Sequence, residues 1–320
     1  MTPAARLSPG AERALGALAL LALVVLPLAL GRYGRFFGAE VFTWALYAMA
    51  FNVCFGVAGM LSFGHAAFFA FGAYGATFSV LRLAPDPWLA LGAALAAAAV
   101  LAAVVGFFAV RVVSHSFVII TITFSLVLFL LAHSQKELTG GDDGLTFPPL
   151  AVGVGTGLSL SSPVVAYYTA FAFCLLGYLV LARLSRSPLG LVFAAVRENE
   201  RRAMLVGYEV RRYKWLAFVL SGALAGLAGG VYAVTHAQVS AQLFDVTVSV
   251  DAIIWALIGG AGTVVGPALG AALVLVFTNL ISAWLVYTQI PIGILLIVIV
   301  LFFPRGLAGI WRAWQARGAA

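Results

Sequence analysis

The stretch RLSRSPLGLVFAAVRENERRAMLVGYEVRRYK occupies residues 183–214 and decides how the chain must lie. It holds eight of the 18 Lys/Arg and three of the 11 Asp/Glu, in a sequence only 9% charged. On both sides the sequence returns to long apolar runs. Arginine at the centre of a bilayer is costly, so this island belongs in water. Its basic excess places it on the cytoplasmic face.

Inside the island the spacing predicts ordered structure. Ser187 is placed to cap a helix beginning at Pro188, because proline lacks only an N–H that the first turn leaves unpaired anyway. Leu189, Val192, Phe193 and Val196 then recur at i, i+3, i+4 and i+7, one apolar stripe. Glu198 and Arg202 stand as an i,i+4 pair in the favourable order. A second short turn, Ala203 to Val206, ends at Gly207, a residue suited to a left-handed cap. The island thus reads as two short amphipathic helices lying against a membrane. A solvated topogenic loop and a docking surface for a soluble partner both fit it, and the capped pattern favours docking.

The rest of the 320 residues sets the fold class. With 63% hydrophobic residues and a mean hydropathy of +1.09, no soluble domain of this size could bury its apolar surface. The expectation is an all-α, polytopic transmembrane helical bundle. The net charge of +7 raises nucleic acid as a partner, but the basic residues are dispersed in loops and flanks. Orientation in the bilayer accounts for them, and no nucleic-acid role is expected. Cys54 and Cys174 lie in apolar runs and read as small buried hydrophobes without a disulfide or metal role. Arg6 and Arg13 precede the run Ala14 to Leu30, which is too long for a signal-peptide core and reads as an uncleaved first span.

Ten hydrophobic segments fall near 14–31, 40–57, 66–83, 88–110, 112–133, 163–183, 213–236, 246–260, 264–286 and 289–303. Because several are short or Gly-interrupted, the expected number of spans is about 8–11. With the N-terminus inside, six crossings return the chain to the cytoplasm at the island. Four more leave Arg305, Arg312 and Arg317 inside as well, so both termini are expected to be cytoplasmic.

Three places interrupt the apolar pattern before the island. Gly56 to Gly75, GVAGMLSFGHAAFFAFGAYG, crowds five glycines around Ser62 and His65. Unwound backbone at membrane depth is tolerated only where protein or a water-filled cavity satisfies it, so this reads as a broken or re-entrant helix lining a pathway, as at transporter midplanes. Singly, His65 also fits a packed histidine bonded to a carbonyl, and Asn52 an interhelical hydrogen bond. Ser114 to Thr123, SHSFVIITIT, is dense in hydroxyls that can satisfy backbone or face a polar lumen, with Arg111 and His115 as interfacial anchors. Thr139, Gly140, Gly141, Asp142, Asp143 and Gly144 form a tight polar loop. Its spacing lacks the alternating oxygens and distal glutamate of a calcium loop.

After the island, Ser221, Gly222, Gly226, Gly229 and Gly230 make an array suited to close helix packing. Gly259, Gly260, Gly262, Gly266 and Pro267 mark a further interruption. One Gly-interrupted pair of segments in each half points to an internally repeated transporter with its path between them. The sequence shows no catalytic triad, phosphate-binding loop, zinc spacing or haem motif. No enzyme chemistry and no cofactor is expected, so energy comes from partner chains or an ion gradient. For the latter, His65, Asp245 and Asp251 are the few coupling candidates.

Four segments, 56–74, 138–145, 187–233 and 257–271, together resemble the permease subunits of branched-chain amino-acid ABC importers in motif, order and spacing. The TGGDDGL loop and the hydrophobic N-terminal stretch resemble the M-type more than the H-type permease. The resemblance implies a type II importer-like permease forming one domain over 1–320 in a bacterial inner membrane, with coupling helices at about 186–207. It implies a second homologous permease, two cytoplasmic ATPase subunits and an extracytoplasmic solute-binding protein as partners, besides membrane lipid and a small-molecule substrate. By the same resemblance Arg197, Glu198, Asn199, Glu200 and Arg201 contact the ATPase. Asn52, Ser62, Gly64, His65, Thr139, Gly140 and Gly141 are the candidate pathway residues. Permeases for urea, amides and other small carboxylates share such sequences, so the cargo stays open.

Overall fold

The computed structural model describes residues 9–112, 114–153, 158–282, 284, 289–302, 306–307 and 309. Arg6, Arg305, Arg312 and Arg317, expected at the membrane face, lie outside these. The described chain is almost wholly helical. Before the island come α1 (Pro9–Ala29), α2 (Arg32–Asn52), α3 (His65–Arg82), α4 (Pro87–Ala109), α5 (Ser114–Ser134), the single turn α6 (Lys136–Thr139) and α7 (Pro163–Arg186). The island supplies α8 (Pro188–Glu198) and α9 (Glu200–Leu205). Beyond it run α10 (Val210–His236), α11 (Val246–Gly259), α12 (Gly266–Ser282) and α13 (Gln289–Phe302). A helix thus occupies each of the ten expected segments, with α2 starting earlier than expected because Arg32 and Arg35 are accommodated in its first turn.

Among the described residues, five helices are long and apolar enough to cross a membrane: Arg32–Val57, Pro87–Ala109, His115–Ser134, Pro163–Arg186 and Val210–His236. α3 is less apolar than these because it is wrapped by protein rather than lipid. His65, Thr77 and Ser79 are buried along it. α4 displays the opposite division of faces. Val100, Val104 and Phe108 are exposed at four-residue spacing, whereas Ala90, Ala94, Ala98 and Ala102 are completely buried. Exposed apolar side chains on a helix of this length belong against lipid.

The buried alanines meet α10 in antiparallel register. A methyl on Gly222, Gly226 or Gly230 would strike Ala102, Ala98 or Ala94 respectively. On its neighbouring face α10 packs on α3, where Gly72 and Gly226 touch backbone to backbone and Gly229 faces the Phe69 carbonyl. Small residues on both faces let three helices approach to backbone contact, the means by which membrane helices associate without a hydrophobic drive between them. Elsewhere, Pro27 in α1 has no N–H for the carbonyl of Leu23. The Tyr167 hydroxyl of α7 donates to that carbonyl instead, at 2.7 Å.

The island departs from expectation in one detail. Ser187 caps α8 as read, its Oγ accepting from Gly190 N–H at 3.2 Å, and Phe193 and Val196 are buried. Asn199, however, is extended (φ −160°), and its Oδ1 caps a second helix by accepting from Arg202 N–H at 2.9 Å. That helix starts at Glu200 rather than Ala203. With a break between them, Glu198 and Arg202 do not share a helix face. Glu200 instead accepts an ion-pair hydrogen bond from Lys214 of α10.

Candidate functional site

α2 widens before it ends. Over Val53–Val57 it takes π geometry, with Ala58 N–H reaching Val53 O at 3.0 Å and Met60 N–H reaching Cys54 O at 2.9 Å. Residues 58–64 then run irregularly, with Gly59 at φ +75°, before α3 begins at His65. Neighbouring elements take up the freed groups. Phe63 N–H donates to Thr121 Oγ1 of α5 (3.2 Å), Gly64 N–H to Ser62 Oγ (3.2 Å), and Ala66 N–H to Ser249 Oγ of α11 (2.8 Å). So the hydroxyl-rich segment of α5 does satisfy backbone, through Thr121. Gly64 leaves no room for a side chain beside the Thr121 carbonyl.

A second break, between α11 and α12, faces the first. Gly260 and Gly262 hold φ values of +110° and +83°, a region costly for any side chain. Asn52, 3% exposed at the end of α2, spans the two. Its Nδ2 donates to Thr263 O at 2.7 Å and its Oδ1 accepts from Gly262 N–H at 3.0 Å. Thr263 Oγ1 in turn donates to Gly260 O (2.8 Å) and accepts from Gly266 N–H (3.0 Å). The interruptions in the two halves, separated by about 200 residues of sequence, therefore form one hydrogen-bonded unit.

The island reaches this unit directly. Arg197, at the end of α8, donates from Nη1 to the carbonyl of Gly56. Its side chain also lies against Gly59 and Gly262, where a β-carbon would collide with it. The breaks accordingly sit at the island end of the bundle, not at its middle as the glycine pattern implied. An arginine that leaves water can travel only a side-chain length into the bundle, so the carbonyl it meets lies near that end.

His65 lies one layer deeper and is completely buried. Ser221 Oγ donates to Ala50 O at 2.6 Å, which leaves it to accept from His65 Nε2 at 2.7 Å. The imidazole is thereby fixed as the Nε2–H tautomer. Its partner is a serine rather than the expected carbonyl. Phe51, Phe68 and Phe218 surround the ring edge to face at 5.0–5.8 Å, and Nδ1 has no hydrogen-bond partner among the described residues.

Thr139, Gly140 and Gly141 are not brought to this cluster. They lie further along α3, beside its middle, where Tyr74 OH donates to Thr139 O at 3.1 Å, and Ala241 N–H donates to Gly141 O at 3.1 Å. Beside them β1 (Leu145–Thr146) pairs antiparallel with β2 (Gln238–Val239). Gly140, Gly141 and Gly144 have φ values of +76°, +61° and +73°, and Asp142 meets His133 Nδ1 at 3.0 Å. The loop is a tight closure of the end opposite the island.

Sequence reading missed Ser221, Thr263 and the Gly56 carbonyl as members of the site. Ser221 sits in a small-residue array and is indistinguishable there from a packing residue. A carbonyl carries no sequence signal at all.

A family model described as branched-chain amino acid transport system / permease component matches residues 36–302. The chain belongs to that family. This permease is 27% identical to the high-affinity branched-chain amino acid transport system permease protein LivM of Escherichia coli (strain K12) over 292 residues, covering 84% of the chain and 68% of the relative. It is 25% identical to LivH of Salmonella typhimurium over 285 residues, 83% of the chain and 91% of the relative. The inner membrane ABC transporter permease protein YjfF of Escherichia coli is 33% identical over 143 residues, 41% of the chain and 42% of that protein. No solved structure matches the chain. Family membership and the apolar helices make it a multi-pass membrane permease of an ABC transporter.

Proposed function

We propose that this permease imports branched-chain or closely related amino acids by alternating access, driven by ATP that two separate cytoplasmic subunits hydrolyse. A second, homologous permease completes the pathway, and an extracytoplasmic binding protein delivers the solute. The curated relatives LivM and LivH are named as permeases of a high-affinity branched-chain amino acid transport system, which supports both the cargo and the pairing. In this reading residues 1–320 act as one permease domain without ATPase activity of its own, and the termini and the island face the cytoplasm.

One observation carries the coupling. Arg197 belongs to the water-facing island yet hydrogen-bonds the Gly56 carbonyl, in the unit that joins both helix breaks. Beside it, Met204, Leu205 and Val206 are more than half exposed at the end of the charged island, a surface that fits a protein partner. A push on α8 and α9, carried by Arg197 to Glu200 and by Arg201, is transmitted to the breaks through Arg197. Asn199 keeps the two short helices distinct. Asn52, Ser62, Gly64 and His65 flank the moving element, and Thr139–Gly141 close the opposite mouth.

Reconstitution into proteoliposomes tests the reading. The assembled transporter takes up labelled leucine with ATP, and vesicles lacking the ATPase subunits do not. ATP-independent uptake that collapses with a protonophore would overturn it, as would competition by urea but not by isoleucine.

A further inference from the structure

Next to the first break a cavity of about 250 Å³ opens at the island end of the bundle. Met60 and Leu61 of the irregular segment, Val110 and Val112 after α4, and Val118 of α5 form part of its wall, and its basic members are His115 and Lys214. At about 30 Å³ for each water-sized group, it holds a solute of about eight such groups. A phospholipid with its acyl chains is far larger. The lining is apolar with a cationic edge, so the complementary solute has an aliphatic body and one carboxylate.

Lys214 gives the cavity a consequence. Its side chain is only 14% exposed, and its ammonium is held by Glu200 of α9. A largely buried lysine needs an anionic partner, and a second carboxylate can take the place of the first. A solute carboxylate arriving at Lys214 therefore competes with Glu200 and releases α9 from α10. The body of the same solute rests on Met60 and Leu61, next to Gly59, against which Arg197 packs. Occupancy thus touches both ends of the lever between the island and the breaks.

We infer that this cavity is a cytoplasm-facing site for a branched aliphatic monocarboxylate, through which the imported product slows the transporter. The inference rests on the transport function proposed above and adds a regulatory site to it. Its occupant would be the cargo itself after release, which shares the required chemistry.

Inside-out proteoliposomes of the complete transporter, with leucine-loaded binding protein trapped in the lumen, give the test. ATP and L-leucine are added to the bath, which contacts the cytoplasmic face, and ATP hydrolysis is measured. Bath leucine lowers the wild-type rate by about fivefold or more, a coupling of ordinary size. 4-Methylpentanoate, which keeps the carboxylate and tail but lacks the amine, also lowers it, and glycine does not. Val112→Trp and Val118→Phe fill the cavity from two directions, so each keeps the uninhibited rate and loses the response to leucine. A wild-type rate that ignores bath leucine, equal inhibition by glycine, or undiminished inhibition in both variants would overturn the site. Each of these leaves ATP-driven uptake intact, so it is distinct from failure of the transport reading, in which no stimulated hydrolysis appears at all.

Discussion

Arg197 and Gly56 are joined by a hydrogen bond between a guanidinium at the end of α8 and a main-chain carbonyl in the π-turn that ends α2. Main-chain carbonyls in that turn have lost their regular helical donors, and the arginine supplies one. An acceptor that depends on an arginine from another segment moves when that segment moves.

Replacing this arginine therefore separates the two activities of the assembled transporter. Arg197→Ala removes a charge-assisted bond of about 1.5–3 kcal/mol, enough to free the break from the island while the bundle stays folded. Leucine uptake falls by about tenfold or more on that energy, while ATP hydrolysis persists. Arg197→Lys restores only part of the uptake, because one ammonium cannot reproduce the planar guanidinium. Uptake and hydrolysis measured on the same vesicles decide it, and unchanged uptake in Arg197→Ala contradicts the coupling role.

Asn52 uses both ends of its amide across the gap between the breaks. Asn52→Asp is nearly isosteric but sets a carboxylate oxygen against the Thr263 carbonyl, whereas Asn52→Ala leaves Thr263 O and Gly262 N–H both unpaired. Each unsatisfied buried group costs about 1–3 kcal/mol. Thermal unfolding in detergent shows both variants well below wild type. Asn52→Asp has the lower midpoint, since it adds a repulsion to the loss.

How much of this was legible in the sequence depended on whether a residue's role is local. Ser187 and Pro188 fix the start of α8 within one turn, and the glycines of 56–64 and 259–266 announce two breaks by composition alone. Asn199 was harder, because an asparagine inside a polar run serves equally as a helical residue or as a cap. Only the burial of Phe193 and Val196 against the bundle, with Glu200 drawn to Lys214, selects the cap. The meeting of the two breaks through Asn52 is a long-range contact, and the length of an arginine side chain rather than any pattern sets their depth. Thr139–Gly141 belong to the same family-like set of motifs as His65, yet His65 starts α3 and Thr139 meets that helix only at Tyr74, halfway along it.

His65 and Ser221 form a buried pair whose energies are not independent. Ser221→Ala leaves the His65 Nε2–H without an acceptor among three phenylalanine rings and costs about 1–3 kcal/mol. His65→Phe removes the donor and keeps an aromatic ring in the same cage. In the double variant neither the imidazole N–H nor its acceptor is left without the other, and the bond to Ala50 O is lost equally in Ser221→Ala alone. The double loss is therefore smaller than the sum of the two single losses by about 1 kcal/mol. A double-mutant cycle on thermal or denaturant unfolding measures the difference, and strict additivity would show that the hydrogen bond contributes nothing.

The packing of α10 against α3 and α4 predicts opposite responses from chemically identical substitutions. Gly226→Ala drives a methyl into Ala98 of α4 while the same residue already touches Gly72 of α3, so no direction is left for α10 to retreat. Overpacking of this kind costs about 1–3 kcal/mol. Gly92→Ala, in α4, meets nothing within 4 Å. Alanine there lowers the backbone entropy of the unfolded chain and raises stability by about 0.4–1 kcal/mol. Unfolding midpoints of the two variants in one detergent should therefore move in opposite directions. Equal shifts would mean that backbone contact between the helices is not what holds α10 in place.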